Sequence, residues 1–194
     1  MTDRNNLYPV FLKVRNLHIL IVGGGHVAEE KLRFLTKSSP DACVSMLAPM
    51  FREDTLKLVN QFNVQMIEDQ YHARYLDGKH MVIATTNDPE VNLQVYTDCR
   101  KRDKLVNVAD NPPYCDFYMG GIVTKGNVKV AISTNGQSPT TAKRLRQFFE
   151  EVLPEDIDRM VQNLNAYRDT LKGDFEYKVH KMNQVTEALV GKNN

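Results

Sequence analysis

The sequence predicts an α/β fold: a parallel sheet wound by helices, then a small α+β region, then C-terminal helices. Three observations carry that reading. Short aliphatic and β-branched runs alternate with amphipathic segments as far as residue 108. The first run ends on three consecutive glycines, Gly23, Gly24 and Gly25. After Pro112-Pro113 the pattern changes to two closely spaced strands and then helices alone.

Each element follows from its residues. The run Ile19-Leu20-Ile21-Val22 is too short for a buried helix and suits a strand covered on both faces. The helix after the glycines sets Ala28, Leu32 and Leu35 on one face. Residues 43–48 read as a second strand, and 49–62 as a helix with Leu56 and Val59 inward. Residues 64–67 and 80–84 are the next strands. Asp88 is then a natural N-cap and Pro89 the first helical residue, with Val91, Val95 and Cys99 as the buried stripe. Residues 105–108 make a fifth strand, and this alternation means a sheet wound in the Rossmann manner.

Residues 117–124 and 128–134, separated by Lys125-Gly126-Asn127, read as an antiparallel hairpin. Ser138-Pro139 opens a helix through Val152, and Pro154 starts another with Met160, Leu164, Tyr167 and Leu171 inward. Asp174 caps a last helix carrying Phe175, Val179, Met182, Val185 and Leu189. With the boundary at Pro112-Pro113, residues 1–112 form a dinucleotide-binding domain, 113–152 a hairpin–helix region for dimerisation and substrate, and 153–194 a helical region. Two short strands do not make a stable sheet alone, so the hairpin must lean on the parallel-sheet domain, on the helices or on a second copy of the chain, and the last of these predicts a homodimer.

Composition bounds the function. Formal net charge is +1, with 42% hydrophobic and 25% charged residues, which gives no reason to propose nucleic acid or an anionic membrane as partner. The apolar runs fall short of a membrane span, and Met-Thr-Asp-Arg-Asn-Asn lacks the apolar core of a signal peptide. The 3 cysteines, Cys43, Cys99 and Cys115, are odd in number and widely spaced. They suggest neither a disulfide framework nor a metal knuckle, so a reducing cytoplasm is the expectation. His18, His26, His72, His80 and His180 show no metal-ligand spacing, and no metal site is predicted.

Chemistry concentrates at the carboxyl ends of the strands, where open parallel sheets bind ligands. In Gly23-x-Gly25-x-x-Ala28, Gly23 permits the tight turn, Gly25 lets a pyrophosphate approach, and Ala28 brings helix and strand together. The helix amides would then meet the phosphates. Two further segments converge there, 84–88 with Thr85 and 107–110 with Asn107 and Asp110. Asp110 is the carboxylate best placed to face the reacting ring; its plainer reading is a turn aspartate bonded to its own backbone. No acid stands at Met46-Leu47-Ala48-Pro49-Met50 to hold a ribose 2′-hydroxyl; Arg52 just beyond would suit a 2′-phosphate or, more plainly, is a solvated side chain on the first turn of a helix. Ser133 and Ser138 lead into a helix with Lys143, Arg144 and Arg146, which suits a carboxylate ligand or, more plainly, a capped helix with a basic face. Tyr177-x-x-x-Lys181 copies a dehydrogenase pair but lies far in sequence from the strand ends.

These segments coincide with one family. Tyr8-Pro9-Val10-Phe11-Leu12, the glycine turn through Lys31, Thr85-Thr86-Asn87-Asp88, Asn107-Val108-Ala109-Asp110, Ser133-x-x-Gly136-x-Ser138-Pro139 and Arg144-Leu145-Arg146 occur in order and spacing over residues 8–155. The chain resembles the precorrin-2 dehydrogenase family of sirohaem synthesis, including the N-terminal part of bacterial sirohaem synthase and the yeast dehydrogenase–ferrochelatase. The resemblance implies NAD-dependent oxidation of precorrin-2 to sirohydrochlorin on a homodimer. It places the catalytic aspartate on Asp110, cofactor contacts on His26, Val27, Pro49 and Met50, and a serine phosphorylated in some members on Ser133. It also implies that the acidic substrate meets the 133–146 segment.

The chain departs from the family at Cys115-Asp116-Phe117, where Cys-Ser-Phe is usual, and at Gly120-Gly121, which replaces a Pro-Ala-type pair. An acid at 116 would oppose an acidic substrate if it faced the pocket. Two other functions fit the sequence: a dehydrogenase that also inserts Fe2+ or Co2+ into sirohydrochlorin, and a non-catalytic NAD-sensing module.

Overall fold

The computed structural model describes residues 5–187. The elements are β1 (Ile19–Val22), α1 (His26–Ser38), β2 (Val44–Ala48), α2 (Glu53–Gln61), β3 (Gln65–Glu68), β4 (Met81–Ala84), α3 (Pro89–Lys101) and β5 (Leu105–Val108). Then follow β6 (Gly121–Lys125), β7 (Val128–Ile132), α4 (Pro139–Val152), α5 (Ile157–Thr170) and α6 (Phe175–Thr186). The predicted Leu189 contact lies outside the described residues. Two compact units result. One holds the described residues up to Gly120 together with Ser133–Ser138; the other holds Gly121–Ile132 and the described residues from Pro139 on. Pro112–Tyr114 is a 3-10 turn inside the first unit, and the chain leaves that unit at Gly120.

The first unit is a five-stranded parallel sheet in the order β3-β2-β1-β4-β5. Because successive strand residues face opposite ways, the apolar runs feed two cores. Ile19, Ile21, Met46 and Ile83 pack on one face with Ala28 and Leu32 of α1 and Leu58 and Val59 of α2. Leu20, Val22, Leu47, Val82 and Val106 pack on the other with Val95 and Cys99 of α3. Each such fully buried aliphatic side chain contributes about 1.5–3 kcal/mol. The two edges are treated differently. The outer strand β3 is short and mostly exposed, carrying Gln65 and Glu68. At β5, Asp116 covers the edge: its amide donates to Val106 O at 2.8 Å, and its carboxylate accepts from Val106 N at 3.0 Å.

Two predicted boundaries move, each for a local reason. The helix expected from Pro49 begins at Glu53. Residues 49–52 instead turn back along the glycines, and Arg52 N donates to Gly24 O at 3.0 Å. The first hairpin strand begins at Gly121, not at 117. Phe117 and Met119 pack on the first core, and Asn107 Nδ2 donates to Phe117 O at 2.8 Å, which holds that stretch against the first unit. Asp88 caps α3 as predicted, accepting from Glu90 N at 2.9 Å and Val91 N at 3.4 Å.

In the second unit β6 and β7 pair antiparallel in a register that runs from Gly121↔Ile132 to Lys125↔Val128. The turn is fastened to α5. Asp158 accepts from Asn127 N at 2.7 Å and Asn127 Nδ2 at 2.8 Å, and these bonds, the backbone one foremost, hold its carboxyl below the usual value. Lys125 Nζ donates to Leu153 O at 2.6 Å and to Glu155 Oε1 at 2.5 Å.

Gly126 has φ 56°, and a Cβ there would lie 2.0 Å from Asp158 Cγ. Gly126→Ala should therefore destabilise the protein by about 1–3 kcal/mol, since the left-handed backbone is strained and Asp158 must leave the turn. Chemical denaturation checks this; an unchanged midpoint would show that the hairpin tip is not fastened in solution.

Candidate active site

Three turns of the first unit stand at the carboxyl ends of its strands. The glycine turn is the tightest. Gly23 has φ 134°, its amide donates to Leu47 O at 2.8 Å, and a Cβ there would lie 2.4 Å from Thr85 Oγ1. On Gly24 a Cβ would lie 2.2 Å from Met50 O and 3.0 Å from Ala48 Cβ. Gly25 is different. It is the N-cap of α1, and a Cβ there would meet nothing within 4 Å. The first two glycines admit protein backbone; the third leaves the helix start open. First-turn amides have no intrahelical acceptor, so the positive end of α1 faces that space. This fits a pyrophosphate.

The first turn of α1 is otherwise self-contained. His26 is exposed, Val27 half-buried, and His26 Nδ1 lies 3.4 Å from Glu29 Oε2. The buried Glu29 carboxylate also accepts from Arg33 Nε at 2.9 Å and from Nη2, so its charge is matched before any anion arrives. Pro49 and Met50 are exposed beside the turn. Thr55 is fully buried and donates its hydroxyl to Gly24 O at 3.1 Å. Sequence reasoning missed Thr55, because a threonine in the first turn of a helix carries no motif.

Thr85 and Asn107, both expected at the cofactor, turn their polar groups to protein. Thr85 is buried, with its hydroxyl 2.9 Å from Val22 O, and it fills the space that Gly23 leaves. Asn107 is buried and, besides Phe117 O, reaches Cys115 Sγ at 3.4 Å. They shape the strand ends on which the ligand-facing turns stand.

Asp110 adopts φ 58°, a conformation aspartate tolerates better than most residues. Asn111 N donates to Val108 O at 3.2 Å and closes the turn beneath it. The Asp110 side chain is exposed and, among the described residues, has no hydrogen-bond or ion-pair partner. The reading of a carboxylate satisfied by its own turn is therefore not what the structure shows. Asp110 lines a cleft of about 160 Å³ with Thr86, Asn87, Asn92, Asn111 and Tyr114. Asn92, also missed from sequence, fixes one wall. It accepts from Thr86 N at 3.1 Å and Thr86 Oγ1 at 2.8 Å, and donates to Thr86 O at 2.9 Å. Tyr114 stacks on Tyr96 at 4.6 Å and stiffens the other wall. Cys115 donates to Val108 O and Asn111 O at 3.3 Å, and burial pushes its thiol pKa up.

Asp116, besides closing the β5 edge, pairs with Arg100 at 3.0 Å, and it is not among the residues lining the cleft. The serines and basic residues separate between the units. Ser133 accepts from Asn135 N at 3.2 Å, and Ser138 N and O both bond the Thr134 hydroxyl, in a turn counted with the first unit. Lys143, Arg144 and Arg146 stand on α4 of the second. Lys143 and Arg144 are exposed, and Arg146 is half-buried and paired with Glu150.

Residues 10–121, more than half of the chain, match the family described as putative NAD(P)-binding, and residues 125–151 match that described as sirohaem biosynthesis protein central. The chain belongs to the putative NAD(P)-binding family, and its 125–151 segment is similar to the sirohaem central family. It is 36% identical over 167 residues to a siroheme synthase of Psychrobacter sp. (strain PRwf-1), covering 86% of this chain and 34% of the relative. With the siroheme synthase of Actinobacillus pleuropneumoniae serotype 7 (strain AP76) it shares 32% over 170 residues, 88% of this chain and 35% of the relative. The chain thus spans about a third of the length of these relatives. Among solved structures it is similar to SirC, precorrin-2 dehydrogenase, with a TM-score of 0.72 at 22% identity over 92% of this chain and 89% of that one, a likeness of fold.

The glycines make separable predictions. Gly25→Asp places bulk and negative charge in the open space at the start of α1, so NAD(P) affinity should be lost while the melting temperature barely changes. Gly24→Ala should instead destabilise by about 1–3 kcal/mol, because its Cβ must displace backbone. Calorimetric titration and thermal melts distinguish the two; unchanged affinity in Gly25→Asp would move the cofactor away from this turn.

Proposed function

We propose that this chain oxidises precorrin-2 to sirohydrochlorin with NAD, in sirohaem or cobalamin synthesis. The observation that carries the reading is the carboxylate of Asp110, without a partner among the described residues and held on a left-handed turn in a cleft at the ends of β4 and β5. Family membership and the open glycine turn support a nicotinamide cofactor, and the siroheme synthase relatives support a tetrapyrrole substrate.

The cofactor, when bound, accepts a hydride. The residues supply the rest. Gly23 and Gly24 seat the turn against Thr85 and the 48–51 segment, and Gly25 leaves the start of α1 free for phosphates, with His26, Val27, Pro49 and Met50 exposed or half-buried around it. Thr85 and Asn107 brace the strand ends. Loss of hydride from carbon must be matched by loss of a proton, and Asp110 is the base that takes it. A carboxylate beside a cationic ring is also an attractive pairing. The substrate is rich in carboxylates, which suit hydroxyls such as those of Ser133 and Ser138 in the first unit and, separately, cations such as those of Lys143, Arg144 and Arg146 in the second. Turnover of precorrin-2 with NAD, with NADP, and with added Fe2+ or Co2+ is the deciding assay. No oxidation would refute the reading, and metal insertion would extend it.

Asp110→Asn keeps the size of the side chain but removes the base. We expect kcat to fall roughly 10²–10⁴-fold, the usual worth of general acid–base catalysis, with NAD affinity nearly unchanged. Wild-type turnover in that variant would leave Asp110 a turn residue.

The same reading includes a homodimer. In the second unit Phe148 is 53% exposed, Val152 51% and Phe175 73%, a burden of apolar surface that a partner copy would cover. Light scattering at micromolar concentration should report a dimer, and a mass of 22.2 kDa would sink this expectation.

A further inference from the structure

The amino ends of the strands carry a second group of reactive side chains, and the proposed oxidation does not use it. His18 immediately precedes β1, Cys43 precedes β2 and His80 precedes β4. Since the strands are parallel and adjacent, these three residues come together at the end of the sheet opposite the glycine turn. Cys43 Sγ lies 3.1 Å from His18 Nδ1. The His18 ring stacks on His80 with centroids 5.6 Å apart and planes 16° from parallel. His80 is in turn oriented by backbone: its Nδ1 accepts from His18 N at 2.9 Å, and its amide donates to His18 O at 2.9 Å. A sulfur nucleophile, an imidazole within hydrogen-bond reach, and a third group that sets the imidazole plane make up the arrangement of an activated thiol.

We propose that Cys43, with His18 as its base and His80 as the group that orients His18, is a reactive-thiol site that forms mixed disulfides with small-molecule disulfides. With its proton on Nε2, His18 accepts the thiol proton at Nδ1. The Cys43 thiolate attacks one sulfur of the incoming disulfide. A new S–S bond forms as the old one breaks, and the departing thiolate takes the proton back from the imidazolium. The Cys43 sulfur is oxidised and the departing sulfur reduced, so no other oxidant is needed.

The other two thiols provide the contrast. Cys99 is fully buried, and burial pushes its thiol pKa up to about 12. Cys115 is half-buried and donates to two carbonyls. Neither has an imidazole partner among the described contacts. Cys43 is half-buried, and the two histidines beside it are exposed, so an incoming disulfide can reach the pair.

The probe is oxidised glutathione added to the full chain, with adducts located by intact mass and peptide mapping. Native protein should acquire one adduct, on Cys43, and Cys43→Ser should acquire none over the same time. His18→Phe keeps a ring on His80 but removes the acceptor, and should slow the reaction about tenfold. His18→Asn keeps a polar group near the Nδ1 position but is no base; it should slow the reaction similarly and gives the reading if His18→Phe fails to fold. A native adduct on Cys99 or Cys115, or equal rates for folded His18→Phe and wild type, would overturn the proposal.

Discussion

At the carboxyl end of β1 there is room for backbone and nothing else. Thr85 stands on one side of the turn and the 48–51 segment on the other, each within 3 Å of where a side chain on Gly23 or Gly24 would begin. The two glycines let β1 sit between β2 and β4 while the chain reverses into α1. The carbonyl of Gly24 then becomes an anchor, holding Arg52 N and the buried Thr55 hydroxyl. One close approach thereby determines where α1 begins, why α2 starts late, and where the open space at Gly25 lies. If side chains filled that turn, the strands would spread and the helix start would lose its place.

The polar residues beside this turn divide into those that build and those that face outward. Thr85, Asn107, Asn92 and Cys115 are occupied by carbonyls and amides of neighbouring loops. Buried polar groups must be satisfied, and here that requirement is used to hold three loops in register. Asp110 is the exception. It occupies a backbone conformation that costs energy, and its side chain makes no bond among the described residues, a combination that accumulates at functional sites. The acid at Asp116 does the opposite work. Its bonds to Val106 and Arg100 close an exposed sheet edge and remove its charge from the list of groups an acidic ligand would meet.

The two ends of the sheet also differ in chemistry. The carboxyl ends present amides, a helix start and a carboxylate. The amino ends bring a thiol and two imidazoles into line. Parallel strands produce this separation on their own, because every loop of one kind emerges at the same end.

Read alone, the sequence determined the parallel sheet, the glycine turn, the capping of α3 by Asp88 and the position of Asp110, because each rests on local periodicity or on a residue needed for its own backbone. Tertiary structure decided what the side chains near the site do. Thr85 and Asn107 look like ligand contacts in the sequence, and only the fold brings their polar groups to carbonyls 63 residues before and 10 residues after. Thr55 and Asn92 carry no local signal, since their value lies in carbonyls and amides supplied by distant or folded-back chain. The hairpin began at Gly121 because Phe117 and Met119 found a core to enter, which no pattern of alternation could reveal. Local rules can name a turn or a strand; which polar group is left free to act depends on every other group that could have bonded it.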